Sequence, residues 1–262
     1  MNLKWYGTAT ILLEQDGTQV LFDPFLSRNE KGYKPPVDDL SAVNNILVTH
    51  GHLDHIADIP AILKHGDGKA VVYCTKTPYA TLMSKGVAGK QLHLIIPGDL
   101  LDFQPFRIRV LKGKHIDFDM WLLAKKLINP RNIVYREKLR YMSKENKICT
   151  EAGETVIYEI ESQNERVLLM GSCNLDGTTA YPTGADLLVL PLQGRTDIAK
   201  YAVSIVERLK PKRVLLDHFD DSFPPISSSV RIGQFIALMN MIAPDIPVEY
   251  LQPGETWTPA ES

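Results

Sequence analysis

Apolar positions along the chain gather into short runs closed by turn residues. LKWYG (3–7), ATILLEQ (9–15) and TQVLFD (18–23) have the length and β-branched content of strands. Gln15-Asp16-Gly17 predicts a hairpin turn between the last two, giving an antiparallel start. NNILVT (44–49) reads as a short buried strand, and IADIPAILKH (56–65) has apolar residues at helical spacing. Further strands are predicted at AVVYC, HLII, FRIRVLKG, TVIYEI, RVLLM, DLLVLP and RVLLD. Helices are predicted at TDIAKYAVSIVERLK (196–210), with Thr196 as its cap, and at SSVRIGQFIALMNMI (228–242).

Strands come first and then alternate with helices, which predicts a layered α/β fold rather than an all-α or all-β one. No repeat of fixed period occurs, although two strand-rich halves each contribute histidines. No Pro/Gly/Ser linker separates them, so residues 1–262 are read as a single domain. A segment at about 117–150 stands apart as a basic helical insertion. From Asp117 to Ile148 it carries eight Lys/Arg against four Asp/Glu, with aromatics and leucines between. Three readings are open for it: a solvated surface helix, a lid with a basic face beside an anionic substrate, or a membrane-surface helix.

Composition narrows the classes. The 262 residues carry a net charge of −2, without a dense Lys/Arg run, so no nucleic-acid partner is expected. Three cysteines, Cys74, Cys149 and Cys173, lack C-x-x-C spacing and argue against a disulfide framework. No signal-peptide pattern opens the chain, and no apolar run approaches the ~20 residues that span a bilayer. A cytoplasmic protein with no membrane partner is expected.

The seven histidines change the picture, because three of them fall in VTHGHLDH, Val48 to His55. Imidazole and carboxylate suit zinc and similar cations. Residues two apart on an extended loop can face one side, so His50 and His52 could pinch one ion while Asp54 and His55 face a second. His115 and His218 also end strand-like runs and are read as distant ligands. His65 and His93 are read as structural.

With these residues in place, the sequence resembles the metallo-β-lactamase superfamily, whose signature H-x-H-x-D-H follows a short buried strand. The resemblance covers nearly the whole chain. LFDP matches the early aspartate motif at Asp23; the cluster, His115, a strand ending at Gly171, and His218 follow in order. Within the superfamily the chain is most similar to the ascorbate-6-phosphate lactonase-like branch. The resemblance implies a four-layer αββα sandwich with the site along one edge of its two sheets. It places His50, His52 and His115 on one ion, and Asp54, His55 and His218 on another. Asp23 would orient the loop from behind. Zn2+ is expected, as one or two ions, with Mn2+ or Fe2+ as alternatives.

One position departs from the family pattern. A bridging aspartate usually follows the glycine, but here Gly171 is followed by Ser172 and Cys173. The bridge could be absent or water-mediated, or could be taken by Cys173, by Asp176 or by Ser172. All three are therefore placed, with Asp23, around the ligands. The expected activity is metal-dependent hydrolysis of a small, anionic ester, lactone or phosphoester, with Asp54 orienting or deprotonating the attacking water. The rival reading is a non-catalytic metal-binding protein on the same fold, favoured by the missing carboxylate. A di-iron oxidoreductase and a nuclease fit less well, because the bridging carboxylate, a flavin domain and a strongly basic surface are not visible. Arg195 is read as a surface arginine, Asp220 or Asp221 as a partner for a ring nitrogen of His218, and Trp121 as a pocket or packing residue. Lactonase-like relatives assemble into oligomers, which leaves a homo-oligomer open.

Overall fold

A computed structural model describes residues 1–117, 119, 135–163, 165–224 and 227–259. Trp121 and much of the basic insertion lie outside the described residues. The first half forms β1 (Asn2–Gly7), β2 (Thr10–Gln15), β3 (Thr18–Phe22), β4 (Asn45–Leu47), β5 (Val71–Cys74) and β6 (Leu92–Leu94). The second forms β7 (Leu100–Phe103), β8 (Phe106–Lys112), β9 (Val156–Ser162), β10 (Glu165–Met170), β11 (Leu187–Pro191), β12 (Val214–Asp217) and β13 (Val248–Tyr250). A last strand, β14 (Thr256–Trp257), returns to pair with β1. The two seven-stranded sheets run β14-β1-β2-β3-β4-β5-β6 and β13-β12-β11-β10-β9-β8-β7.

Both halves follow one plan: an antiparallel meander that continues as parallel strands. β1 to β3 are antiparallel and β3 to β6 parallel; β7 to β10 are antiparallel and β10 to β13 parallel. The predicted hairpin is present. Asp16 and Gly17 have φ of 52° and 79°, which is the positive-φ pair that a two-residue turn needs.

The period-two alternation of the strands sorts their side chains into separate cores. Ile11, Leu13, Val20 and Phe22 of the first sheet meet Ile108, Val110, Tyr158 and Val189 of the second. The intervening residues face outward under helices. Leu12, Leu21 and Ile46 pack with residues of α1 (Val37–Ser41), α2 (Leu53–Ile56), α3 (Ile59–His65) and α4 (Lys76–Ser84). Leu168, Leu188 and Leu216 pack beneath α6 (Ile198–Leu209) and α7 (Ile232–Ile242). The result is the expected αββα sandwich. Between the halves, α5 (Arg136–Glu145) lies within the insertion, its Lys138 ammonium donating to the Arg28 carbonyl.

Several predicted elements shift. The helix expected at 56–65 is present as α3 over Ile59–His65, with Pro60 in its first turn, while Leu53–Ile56 before it forms the separate short helix α2. Thr196 does not cap α6; its hydroxyl bonds Asp119 at 2.5 Å, and the helix begins after Asp197. The second predicted helix starts at Ile232, leaving 228–231 outside it.

The sheets are tied at the site edge by Tyr158, whose buried hydroxyl donates to the Val48 carbonyl at 2.6 Å, two residues before His50. Tyr158→Phe leaves that carbonyl without its donor and is expected to cost about 1–3 kcal/mol. Urea unfolding at an unchanged m-value measures it; a difference under about 0.5 kcal/mol, the ordinary range for surface changes, would contradict the role.

Candidate metal centre

Every element that brings a site residue ends at the same edge. β1, β3 and β4 run in one direction and deliver Thr8, Asp23 and the 48–55 loop; β8, β10 and β12 deliver His115, Ser172 and His218. Ligand sites of α/β sheets form beyond such carboxyl ends. Three non-glycine residues at this edge hold positive φ: Thr8 at 50°, Asp23 at 44° and His218 at 54°. Each such backbone costs on the order of 1–3 kcal/mol and persists only where neighbours over-determine it. The neighbours are present. The Thr8 carbonyl accepts the His218 amide at 2.9 Å and the Trp5 indole N–H at 2.8 Å. The Asp220 carboxylate accepts the Thr8 amide at 2.9 Å. Asp220 therefore holds the His218 backbone by way of Thr8, in place of the ring contact expected from sequence. Asp221 accepts the Ser227 hydroxyl at 2.5 Å.

Asp23 is fully buried and organises the histidine loop. One oxygen accepts the Thr49 amide at 2.7 Å; the other accepts the Thr49 hydroxyl at 2.6 Å and faces His55 Nδ1 at 2.8 Å. With its proton on Asp23, the Thr49 oxygen can accept from His50 Nδ1 at 3.1 Å. These contacts leave Nε2 as the lone-pair nitrogen of both rings. His115 Nδ1 likewise donates to the Ile116 carbonyl at 2.8 Å, which puts the lone pair of this ring on Nε2. Two glycines let the strands close in. A Cβ on Gly171 would lie 1.9 Å from the Thr49 hydroxyl oxygen, and one on Gly51 would lie 2.2 Å from the Thr150 carbonyl oxygen.

The six expected ligands converge in two groups. His50, His52 and His115 form one, Asp54, His55 and His218 the other, with one donor atom per residue all within 4.8 Å of each other inside a group. The His50 and His55 rings, 3.9 Å apart, join the groups. Burial, and then the imidazoles of His55, His52 and His115, hold the His50 pKa well below the usual histidine range. Burial lowers His52 to about 4 and also lowers His115. These shifts favour the neutral form of all three rings, the form that ligates. In the second group, burial opposes ionisation of Asp54. The His218 hydrogen bond and the charges of His55, His218 and His52 outweigh burial and hold the carboxyl below the usual range. Burial also opposes protonation of His218, but Asp54, 3.2 Å from its Nε2, raises it to about 9. Among the described residues, His218 Nδ1 and the neighbouring Asp217 Oδ1 are buried without hydrogen-bond partners.

The donor set fits a divalent cation. Tetrahedral zinc with bonds of ~2.0–2.1 Å sets its ligand nitrogens about 3.3 Å apart; His50 Nε2 and His52 Nδ1 stand 3.1 Å apart. The remaining expected residues fall elsewhere. Ser172 accepts the Ile116 amide at 2.9 Å. Cys173 packs in the outer core of the second sheet, where burial raises its pKa. Asp176 is taken up by Lys112 at 2.9 Å and by the Thr178 and Thr179 hydroxyls. Among the described residues, neither Cys173 nor Asp176 joins either group. His65 pairs with Asp38 at 2.7 Å on the surface, and His93 lies against Tyr73. Arg195 pairs with Asp197 and stacks on Tyr201. Thr49, Asn174 and Asp217 were not singled out from sequence. A hydroxyl just before His50 and a carboxyl just before His218 were the available signals.

A family model described as a β-lactamase superfamily domain matches residues 2–218. The chain belongs to the metallo-β-lactamase superfamily. A UPF0173 metal-dependent hydrolase of Methanopyrus kandleri is 25% identical over 264 residues, covering 98% of this chain and 99% of the relative. The solved metallo hydrolase of Ignicoccus hospitalis superposes with a TM-score of 0.65 at 19% identity, covering 100% of this chain and 99% of that one. An isothiocyanate hydrolase from Delia radicum gut bacteria superposes with a TM-score of 0.62 at 16% identity, covering 98% of each. The two structures establish the fold, and together the comparisons support a metal-dependent hydrolase of the superfamily. Among the described residues no helix is long and apolar enough to cross a membrane.

Asp23→Asn replaces one acceptor oxygen with a donor facing Thr49 or His55. The change is expected to weaken zinc binding about 10–100-fold, as for other groups that orient ligating histidines. Competition against a chromophoric chelator measures it; unchanged affinity would contradict the hub role of Asp23.

Proposed function

We propose that the chain hydrolyses a small, anionic ester, lactone or phosphoester with one or two divalent cations, zinc first among the candidates. His50, His52 and His115 would hold one cation, and Asp54, His55 and His218 a second. The observation that carries this reading is the convergence of six donor residues, from the ends of β4, β8 and β12, into two adjoining groups. When bound, such a cation supplies Lewis acidity, bringing the pKa of water from about 15.7 toward 7 and polarising the oxygen under attack.

The chain's own residues supply position and charge. A cleft of about 510 Å³ opens onto His52 and His115, lined also by Lys112, Lys114, Asp117 and Glu151. Lys114 pairs with Asp117 at 3.4 Å on the surface. Exposed pairs of this kind contribute about 0–1 kcal/mol, so a substrate anion can replace Asp117. Asp54 is half-exposed, bonded to His218 through one oxygen. It would orient the attacking water or accept its proton. The substitution at Ser172 favours a second reading, a cation-binding protein without turnover, which the same experiment separates.

Purified protein stripped by a chelator and reloaded with zinc is assayed on lactones, carboxylic esters and phosphodiesters. Activity is expected to vanish on stripping and return on reloading. His52→Ala should lower it by more than about 100-fold, beyond the loss typical of groups that only orient a ligand. Activity that survives both treatments would overturn the proposal. Stoichiometric zinc without turnover would favour the second reading.

A further inference from the structure

The loop after β10 grips one peptide unit from both sides. Ser172 Oγ accepts the Ile116 amide at 2.9 Å, and Asn174 Nδ2 donates to the His115 carbonyl at 3.0 Å. These are the two ends of the His115–Ile116 peptide. The next carbonyl, that of Ile116, accepts from the His115 ring at 2.8 Å, so the tilt of that peptide sets the ring. The Ile116 side chain is itself anchored in the outer core of the second sheet.

The grip is braced. Asn174 Oδ1 accepts the Leu175 amide at 2.8 Å and the Tyr201 hydroxyl at 2.7 Å. Two donors on one oxygen fix which way the amide faces and leave Nδ2 toward His115. Ser172 and Asn174 are both buried at 5% exposure, so water does not readily replace either bond. The other two rings of the group are set from the first sheet through Thr49 and the 48–55 loop; His115 arrives from the second sheet and needs its own reference.

We propose that Ser172 and Asn174 are positioning residues for His115. The loop from which the superfamily pattern sends a bridging carboxylate instead aligns the third histidine here. This rests on the reading of His115 as a cation ligand, which the test checks separately. Loops of the wrong shape would leave Nε2 pointing off the group while the fold stayed intact, so the effect is on cation binding before it is on stability.

The experiment compares full-length wild type, Ser172→Ala, Asn174→Asp, Cys173→Ala and His115→Ala. Zinc affinity is read by chelator competition, and the ligand field by the visible absorption of Co2+-loaded protein. Ser172→Ala and Asn174→Asp are each expected to weaken the tightest zinc step about 10–100-fold and to alter the Co2+ bands. Cys173→Ala disturbs the same loop without touching the peptide, and is expected to keep wild-type affinity and bands. His115→Ala is expected to lose the tight step. Should Ser172→Ala fail to fold, Asn174→Asp carries the test, because it keeps the oxygen that Leu175 and Tyr201 use. Wild-type affinity and bands in Ser172→Ala and Asn174→Asp, with the tight step lost in His115→Ala, would overturn the positioning role alone. A tight step retained in His115→Ala would overturn the ligand reading, and the proposal with it.

Discussion

The site depends on one buried carboxylate. Asp23 sits in a left-handed backbone conformation at the end of β3 and is spent entirely on its neighbours: the Thr49 amide, the Thr49 hydroxyl and the His55 ring. A buried charge is tolerated only when such partners surround it. Because Thr49 passes its oxygen on to His50, a single carboxylate fixes the tautomer of one ring in each ligand group. The loop between His50 and His55 is thereby oriented by the sheet rather than by its own contacts.

The sheet topology explains why the remaining ligands can arrive. In each half the strands that carry site residues run the same way, so their ends meet when the two inner faces pack. The joint is sealed by polar bonds across the sheets: Tyr158 to Val48, the Val156 amide to the Thr49 carbonyl, and the His218 amide to the Thr8 carbonyl. Each uses a backbone group within two residues of a ligand or of Asp23's partner Thr49, except Thr8, whose strain is held by Asp220. Strain and ligation are therefore placed together, and the packed layers on both sides stabilise them.

Much of this was legible in the sequence, for physical reasons that differ by element. β2, β3, β8, β10 and β11 show in the pattern because both their faces are buried or strictly alternate. β7, β13 and β14 did not, being two to four residues long at sheet edges, where little burial shapes composition. α4 carries Pro78 and a weak apolar stripe, which hid it. Five of the six candidate ligands were visible because histidine is rare and its spacing carries chemistry, and Asp54 because it falls within that spacing. Asn174 was not, because its role depends on a backbone carbonyl 59 residues away, and no local pattern encodes that. The fate of Ser172 was unreadable for the same reason: its partner is an amide on another strand end.

The chemistry of the two groups also bears on stability. Three imidazoles lie turned toward one another, that of His50 buried and those of His52 and His115 partly so, and burial lowers the pKa of each, which favours the neutral form that ligates. In the second group an Asp54–His218 bond occupies one side of each residue and, among the described residues, leaves His218 Nδ1 without a hydrogen-bond partner. A cation that binds the folded chain alone shifts the folding equilibrium in proportion to the logarithm of its concentration over Kd. The positive-φ residues Asp23, Thr8 and His218 are held by the packed sheets and by the hydrogen bonds of this edge. A cation bound by the two groups would load the same edge from its open side, so its binding and the integrity of the edge would be linked.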